Sequence, residues 1–350
     1  MLKNSESKTL DLSVRETQVE LMSEASRAPS VHNVQPAIWA FAPENKQILL
    51  YADPTRRLPV GDASGNDNRI SLGASFEGMK IALSRHGLKL GAPIFGPTTT
   101  VAKISDLVAS AEVSDGAEID SLAPYVSLRA SYRGKFIQST SKQRNDLKRR
   151  LTAHEGVVLV SEKKKIRDTV EMGDVATAEF MDDPAYAKEL FQWLRLSPKH
   201  PGWNRDGLNA EALALSKAER PLASLLMRPQ VFGPLAKMGL TKLLIAESPK
   251  GITADALIIL TAPLSEDAFE TGRRFYRVWL EACAAGYSLC PISALADSKE
   301  SAAKLVKKFK IPDGHRIVNV FRAGIRPQSK ALKLSPRLPA TELLRKVLLC

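Results

Sequence analysis

The chain has 350 residues, 44% of them hydrophobic, with three cysteines and a formal charge of +12. That length points to two domains or two halves, each with enough apolar material for a core. Cys283, Cys290 and Cys350 are too few and too irregularly spaced for a disulfide framework, and the five histidines are scattered, so no metal is expected. No apolar run suggests a signal peptide or approaches the ~20 residues of a membrane span, so a cytoplasmic location and no membrane partner are expected. The positive charge is concentrated late: from residue 299 onward there are 13 Lys and Arg against 3 Asp and Glu. Neither interleaved aromatics nor a zinc-finger or helix-turn-helix pattern accompanies it. It reads as a solvated basic face or a site for an anionic phosphate, with no nucleic-acid partner.

In chain order, residues 15–26 carry Val19, Leu21, Met22 and Ala25 at helical spacing. Two prolines, Pro29 and Pro36, then bracket Ser30, Val31, His32, Asn33, Val34 and Gln35. Proline biases the residue before it toward extended geometry, and Ser and Asn bond their own backbone, so this reads as a rigid loop presenting donors and acceptors. Ile38, Trp39 and Phe41 anchor its exit. A strand over 47–51 follows, then a turn-rich connection from Asp53 to Gly65 in which Arg56, Arg57 and Asp62 read as a surface turn held by local ion pairs. Leu72, Phe76, Met79 and Leu83 predict a helix over 70–86 with Gly87 as its left-handed stop. Gly272, Phe275 and Gly286 repeat the separations of Gly73, Phe76 and Gly87, as expected of two similar halves.

Arg129, Ser131 and Arg133 stand two apart, so an extended segment puts two guanidinium groups and a hydroxyl on one face, where they can converge on one anion. Helices over 142–151, behind caps Thr140 and Ser141, and 166–181 flank a strand at 157–160. Prolines and glycines break up 198–250, which reads as an insertion, and core filling explains Trp203 and Met227 there. A strand at 255–261, a helix over 272–285, a turn at 311–316 and a strand at 318–321 complete an α+β progression without regular βαβ repeats.

Several of these stretches, in order, resemble segments of the nitroreductase-like FMN flavoproteins, closest to the Acg-type branch in which two nitroreductase-like halves share one chain. They are residues 28–36 with 39, the RLPVGDASG stretch at 57–65, Arg129-Ser131-Arg133, GYSLCPI at 286–292, the turn at 311–316 and SPRLP at 335–339. The resemblance spans about 19–343 and implies a nitroreductase-like fold whose halves, 1–125 and 126–350, form an internal pseudo-dimer with 198–250 as a lid, in which Trp203 and Met227 are candidate contacts. It implies one FMN between the halves. Ser30, His32, Asn33 and Gln35 would lie against the ring; Arg129, Ser131 and Arg337 would hold phosphate, with Lys330 and Lys333 adding charge. Arg133 would reach the N1 and O2 edge of the flavin, and the backbone at Cys290, Pro291 and Ile292 would approach N5 and O4.

The implied activity is two-electron flavin chemistry, with NAD(P)H as donor and a small electron-poor acceptor. His32 is a candidate proton donor, having an ordinary pKa near neutrality. No Rossmann glycine fingerprint occurs, so NAD(P)H would bind transiently over the flavin. Two such halves in one chain permit a monomer. The alternative is a flavin-sequestering protein whose closed lid allows little turnover.

Overall fold

The computed structural model describes residues 10–96, 107–328 and 334–345. Lys330 and Lys333 lie outside them. The chain opens with α1 (Arg15–Ala25), the loop, β1 (Ala37–Ala42) and β2 (Gln47–Ala52), then α2 (Asn66–Ser84), β3 (Leu88–Leu90), β4 (Ile94–Phe95) and β5 (Leu107–Asp115). Next come α3 (Ser141–Leu151), β6 (Val157–Val160), α4 (Lys163–Asp182), α5 (Pro184–Gln192), β7 (Leu194–Arg195) and β8 (Leu208–Asn209). Four short helices follow: α6 (Glu219–Leu226), α7 (Pro229–Lys237), α8 (Thr241–Ile245) and α9 (Ser248–Gly251). The chain continues through β9 (Ala256–Pro263), α10 (Ala268–Ala284), β10 (Ser288–Pro291), α11 (Ala294–Asp297), α12 (Lys299–Phe309) and β11 (His315–Gly324).

Two antiparallel sheets organise this α+β fold. The first runs β1-β2-β5-β3, with β4 also on β5, and the second runs β6-β9-β11-β10. With β4 left aside and the strands taken in chain order, each has its first, second, fourth and third strands side by side, with one long helix between the second and the third. That helix is α2 in one and α10 in the other. The first two strands are joined by a tight turn in the first sheet; in the second, α4 to α9 intervene between them.

The two long helices pack directly on each other. A Cβ on Gly73 would lie 1.9 Å from the Phe269 carbonyl oxygen, and one on Gly272 would lie 2.0 Å from that of Ile70. Phe269 precedes Gly272 by the same three residues as Ile70 precedes Gly73, so the two contacts are reciprocal. Each glycine lets the opposing backbone approach to a distance no side chain permits. Both helices then stop at a left-handed glycine, Gly87 at φ 72° and Gly286 at φ 81°.

Trp39, Leu50, Phe76, Met79 and Phe269 are buried in the core under the first sheet; Leu260, Phe275, Trp279 and Phe321 are buried in one under the second. Just before Arg129, residues 126–128 belong to a 3-10 helix, Ala123–Leu128, in which Ala123 and Val126 are buried behind Pro124. From Arg129 the backbone is extended and runs beside β10, where the Tyr132 N–H donates to the Leu289 carbonyl (2.9 Å). The end of the chain crosses back to the first sheet. The Trp39 N–H donates to Leu343 O and the Arg345 N–H to Trp39 O, both at 2.7 Å, and Leu338 and Leu343 are buried in the first core. Among the described residues, no helix is long and apolar enough to cross a membrane.

Candidate cofactor site

The loop 28–36 is rigid for reasons visible in its backbone. His32, Asn33 and Gln35 have φ of 45°, 58° and 55°, a left-handed region that side chains avoid and that persists only where the surroundings enforce it. The Gln35 N–H donates to Ser30 Oγ (3.0 Å), and the Val31 N–H donates to Ser71 Oγ on α2 (3.3 Å). Asn33 Nδ2 donates to the carbonyls of Gly207 (3.1 Å) and Pro336 (3.0 Å); Gln35 Nε2 donates to Arg205 O (2.9 Å), and Gln35 Oε1 accepts the Leu338 N–H (2.9 Å). The two buried amides thus join the loop to 205–207 of the insertion and to the chain's end. Their polar groups are engaged by protein, whereas Ser30 and His32 are only partly buried.

Arg56 reinforces the same junction. It donates to Val34 O (2.8 Å) and pairs with Asp206 (3.1 Å) as well as with its neighbour Asp53, so it does more than the local turn pairing expected of it. Asp62 accepts the N–H groups of Asp67 (3.1 Å) and Asn68 (2.7 Å) in the first turn of α2. Met227 packs in a cluster that joins the insertion to α4 and α5, with Phe232, Met181 and Ala187, and Trp203 stacks beside Arg220.

Beneath the loop three arginines gather. Arg337 donates through Nε to Ser26 O (2.5 Å), through Nη1 to Asn33 Oδ1 (2.7 Å) and through Nη2 to Arg27 O (3.1 Å). Arg129 donates to the same Arg27 carbonyl (2.6 Å), lies over the rings of Trp279 (4.8 Å) and Tyr276 (6.0 Å), and leaves a buried Nε with no partner. Among the described residues no carboxylate forms an ion pair with Arg27, Arg129 or Arg337. Burial, and then the charges of Arg129 and Arg27, lower the Arg337 pKa to about 9; burial is also the first cause lowering that of Arg129. Like charges held together out of water destabilise one another unless an anion joins them. The donor set, planar guanidinium groups with an unused N–H, suits a phosphate.

Two residues beyond Arg129, Ser131 sits opposite Leu289 of β10. Arg133 diverges from Arg129: it donates to Ala212 O (3.1 Å) and its charge acts on His32. Burial first, then Arg133, lower the His32 pKa to about 4. His32 is therefore uncharged at neutral pH, offering one N–H and one lone pair, which departs from the ordinary pKa that made it a candidate acid. Cys290 is buried and faces Arg322 across the sheet, its thiol directed at Pro291 O (3.8 Å). Beside it, Pro291 has no N–H, and the Ile292 N–H donates to Val320 O (2.7 Å).

The acidic group beside the loop was not anticipated. Asp67 opens α2 one turn before Ser71, which donates to its carbonyl (2.8 Å). Burial and Asp62 raise the Asp67 pKa to about 6. Asp297, at the end of α11, is exposed as a residue, yet desolvation of its carboxyl and the charges of Asp67 and Asp62 raise its pKa to about 8. Burial, and then the charges of Asp297, Asp67 and Glu189, raise the Tyr186 pKa to about 12. Segments 61–67, 186–189 and 297 come together only in the fold, and nothing local in the sequence signals it.

No family model and no curated protein matches this chain. Solved structures similar to it include a nitroreductase with bound FMN from Bacteroides fragilis, at 13% identity and a TM-score of 0.35, covering 61% of this chain and 92% of that one. The FMN-dependent nitroreductase NfnB from Mycobacterium smegmatis, in complex with NADPH, reaches 18% identity and a TM-score of 0.36, covering 63% and 95%. A BluB-like flavoprotein from Clostridium difficile 630 reaches 12% and 0.36, covering 64% and 97%. Likenesses this weak assign neither activity nor cofactor to the chain.

Proposed function

We propose that this chain binds FMN and uses it as a two-electron oxidoreductase of the nitroreductase type, with NAD(P)H as donor and a small electron-poor acceptor. The observation that carries the reading is the gathering of Arg27, Arg129 and Arg337 without a carboxylate, beneath a strained loop, in a chain that resembles this family by motif. Arg129, with its unused Nε, and Arg337 would hold the phosphate; Ser131 would add a hydroxyl. Arg133 would place positive charge at the N1 and O2 edge, where it favours an anionic reduced ring. Ser30 and the neutral His32 would face the ring, while Asn33 and Gln35 fix the loop's shape. Bound FMN would supply hydride chemistry. The protein's share is to hold and orient it, to exclude water with 205–212, and to keep protons near Asp67 and Asp297.

The two sheets with one strand order, and the reciprocal glycine contacts between α2 and α10, support an internal pseudo-dimer with halves 1–125 and 126–350 and with 198–250 as its lid. An absorption spectrum of the purified protein, before and after anaerobic NADPH, tests the function. We expect flavin bands that bleach on reduction, and turnover when a quinone or nitroaromatic is added. Colourless protein that takes up no FMN would refute the proposal, and a stable flavin that no nicotinamide reduces would leave sequestration as the activity.

A further inference from the structure

The edge of the first sheet is covered and the matching edge of the second is open. In β1 the outward N–H and C=O of Trp39 are both satisfied by the chain's own terminal segment, which lies parallel to it at Leu343 to Arg345. β6 holds the same place in the second sheet, the outermost strand beside the second in order. Its Gly156 carbonyl accepts the Thr261 N–H (2.7 Å), and the register continues Val157 to Leu260 and Val158 to Ile259. Antiparallel alternation then turns the N–H and C=O of Val158 and Val160 toward β9, and those of Val157 and Leu159 outward. Among the described residues, nothing bonds those outward groups.

A groove of about 350 Å³ runs along this edge. Four consecutive residues line it, Val158, Leu159, Val160 and Ser161; the far wall is Lys308, Phe309 and Lys310 at the end of α12. Glu162 and Lys165 close one end and pair with each other (2.8 Å). Lys308 reaches Asp168 (3.3 Å), and Lys310 is exposed with no ion pair among the described residues. The groove therefore combines a row of unpaired backbone groups, an aromatic side chain and a surplus of positive charge.

We infer that β6 is a docking edge for an extended acidic segment of another protein, which adds to the second sheet as the chain's own end adds to the first. Main-chain hydrogen bonds at Val157 and Leu159 supply the registry, and carboxylates of the incoming segment meet Lys308 and Lys310. A second copy of this chain is the poorer occupant, because edge-to-edge pairing would bring the two sets of lysines face to face.

The inference is independent of any bound flavin and is tested on the full chain. The probe is a fluorescein-labelled peptide of alternating Glu and Val, compared with its Lys-for-Glu counterpart and with a version carrying a central proline. The acidic peptide should bind saturably. Lys308→Glu with Lys310→Glu should weaken it by tenfold or more, and the two control peptides should not bind. Leu159→Pro deletes only an outward N–H, a place where an edge strand tolerates proline, and should abolish binding while preserving the far-ultraviolet circular dichroism spectrum. Hydrogen exchange should slow at Val157 and Leu159 on peptide addition. Peptide binding that leaves those two amides unprotected, absence of binding at millimolar peptide, or self-association that protects the same amides would each overturn the inference.

Discussion

Arg337 combines two roles that a substitution can separate. Its guanidinium donors are largely committed to carbonyls of 26–28 and 335–336 and to Asn33, so what it offers an anion is mainly charge and loop shape. Arg129 keeps an unused N–H. Arg129→Ala and Arg337→Ala should each weaken FMN binding by an order of magnitude or more, since a charge-assisted contact is worth roughly 1.5–3 kcal/mol. Lys330→Ala and Lys333→Ala should have little effect. Arg337→Ala alone should also speed hydrogen exchange in residues 30–35. Titration of apoprotein by flavin fluorescence, with exchange mass spectrometry, distinguishes these outcomes.

Protonation at the same scale gives a pH dependence of stability with a definite sign. Asp297 titrates near 8 in the folded chain and near 3.8 when unfolded, so between these values the folded state holds a proton that the unfolded state has released. Stability from this group is present at low pH and is lost as pH rises toward 8. His32, lowered from 6.5 to about 4, acts oppositely over 4 to 6.5, where the unfolded chain is the better proton acceptor. Asp297→Asn should therefore match the parent near pH 4 and exceed it in melting temperature above pH 8. Equal melting curves at both pH values would show that Asp297 does not titrate as described.

At the scale of elements, the reciprocal contact between α2 and α10 is sensitive to a single methyl group. Gly73→Ala and Gly272→Ala should each destabilise the fold by about 1–3 kcal/mol or more, because the added carbon meets backbone that cannot rotate aside. Gly87→Ala, at a left-handed stop with open space around it, should cost less. Thermal unfolding of the three variants gives the order. These helices were legible because a 3.6-residue period and a terminal glycine are local signals. So was the paired glycine spacing, although its meaning as mutual contact needed the fold. The strands at 88–90 and 94–95 escaped notice because each is too short to show alternation. Asn33 and Gln35 were legible as oriented amides in a loop, but their partners lie about 170 and 303 residues away. No local pattern distinguishes a residue that staples a site from one that touches its ligand. The carboxylates of Asp67 and Asp297 were missed for the same reason of distance.

For the whole molecule, the two sheets share a strand order but not their surroundings. Arginines gather without a carboxylate partner, among the described residues, on one side only, where the loop before β1 meets Arg129. On α10, Tyr276 lies three residues beyond Arg273 among those cations; on α2, the buried Glu77 engages Arg273 (2.9 Å) and Arg277 (3.0 Å) instead. The guanidinium groups there are already paired with carboxylates, Glu77, Glu270 and Asp120, and are not left to hold a second phosphate. One FMN per chain is expected, in a protein that sediments as a monomer at micromolar concentration. Two flavins per chain, or one per pair of chains, would contradict the arrangement.

The crossing of residues 335–345 back to the first sheet also sets a schedule. During synthesis the loop at 30–35 is made early, yet Asn33 and Gln35 must await partners 303 residues downstream. At about 5–20 residues per second that delay is roughly 15–60 s. Through it a nascent chain would expose the strand edge at Trp39 and carry an unlatched loop, so the pocket is completed only once residues 335–345 have left the ribosome and crossed back to β1.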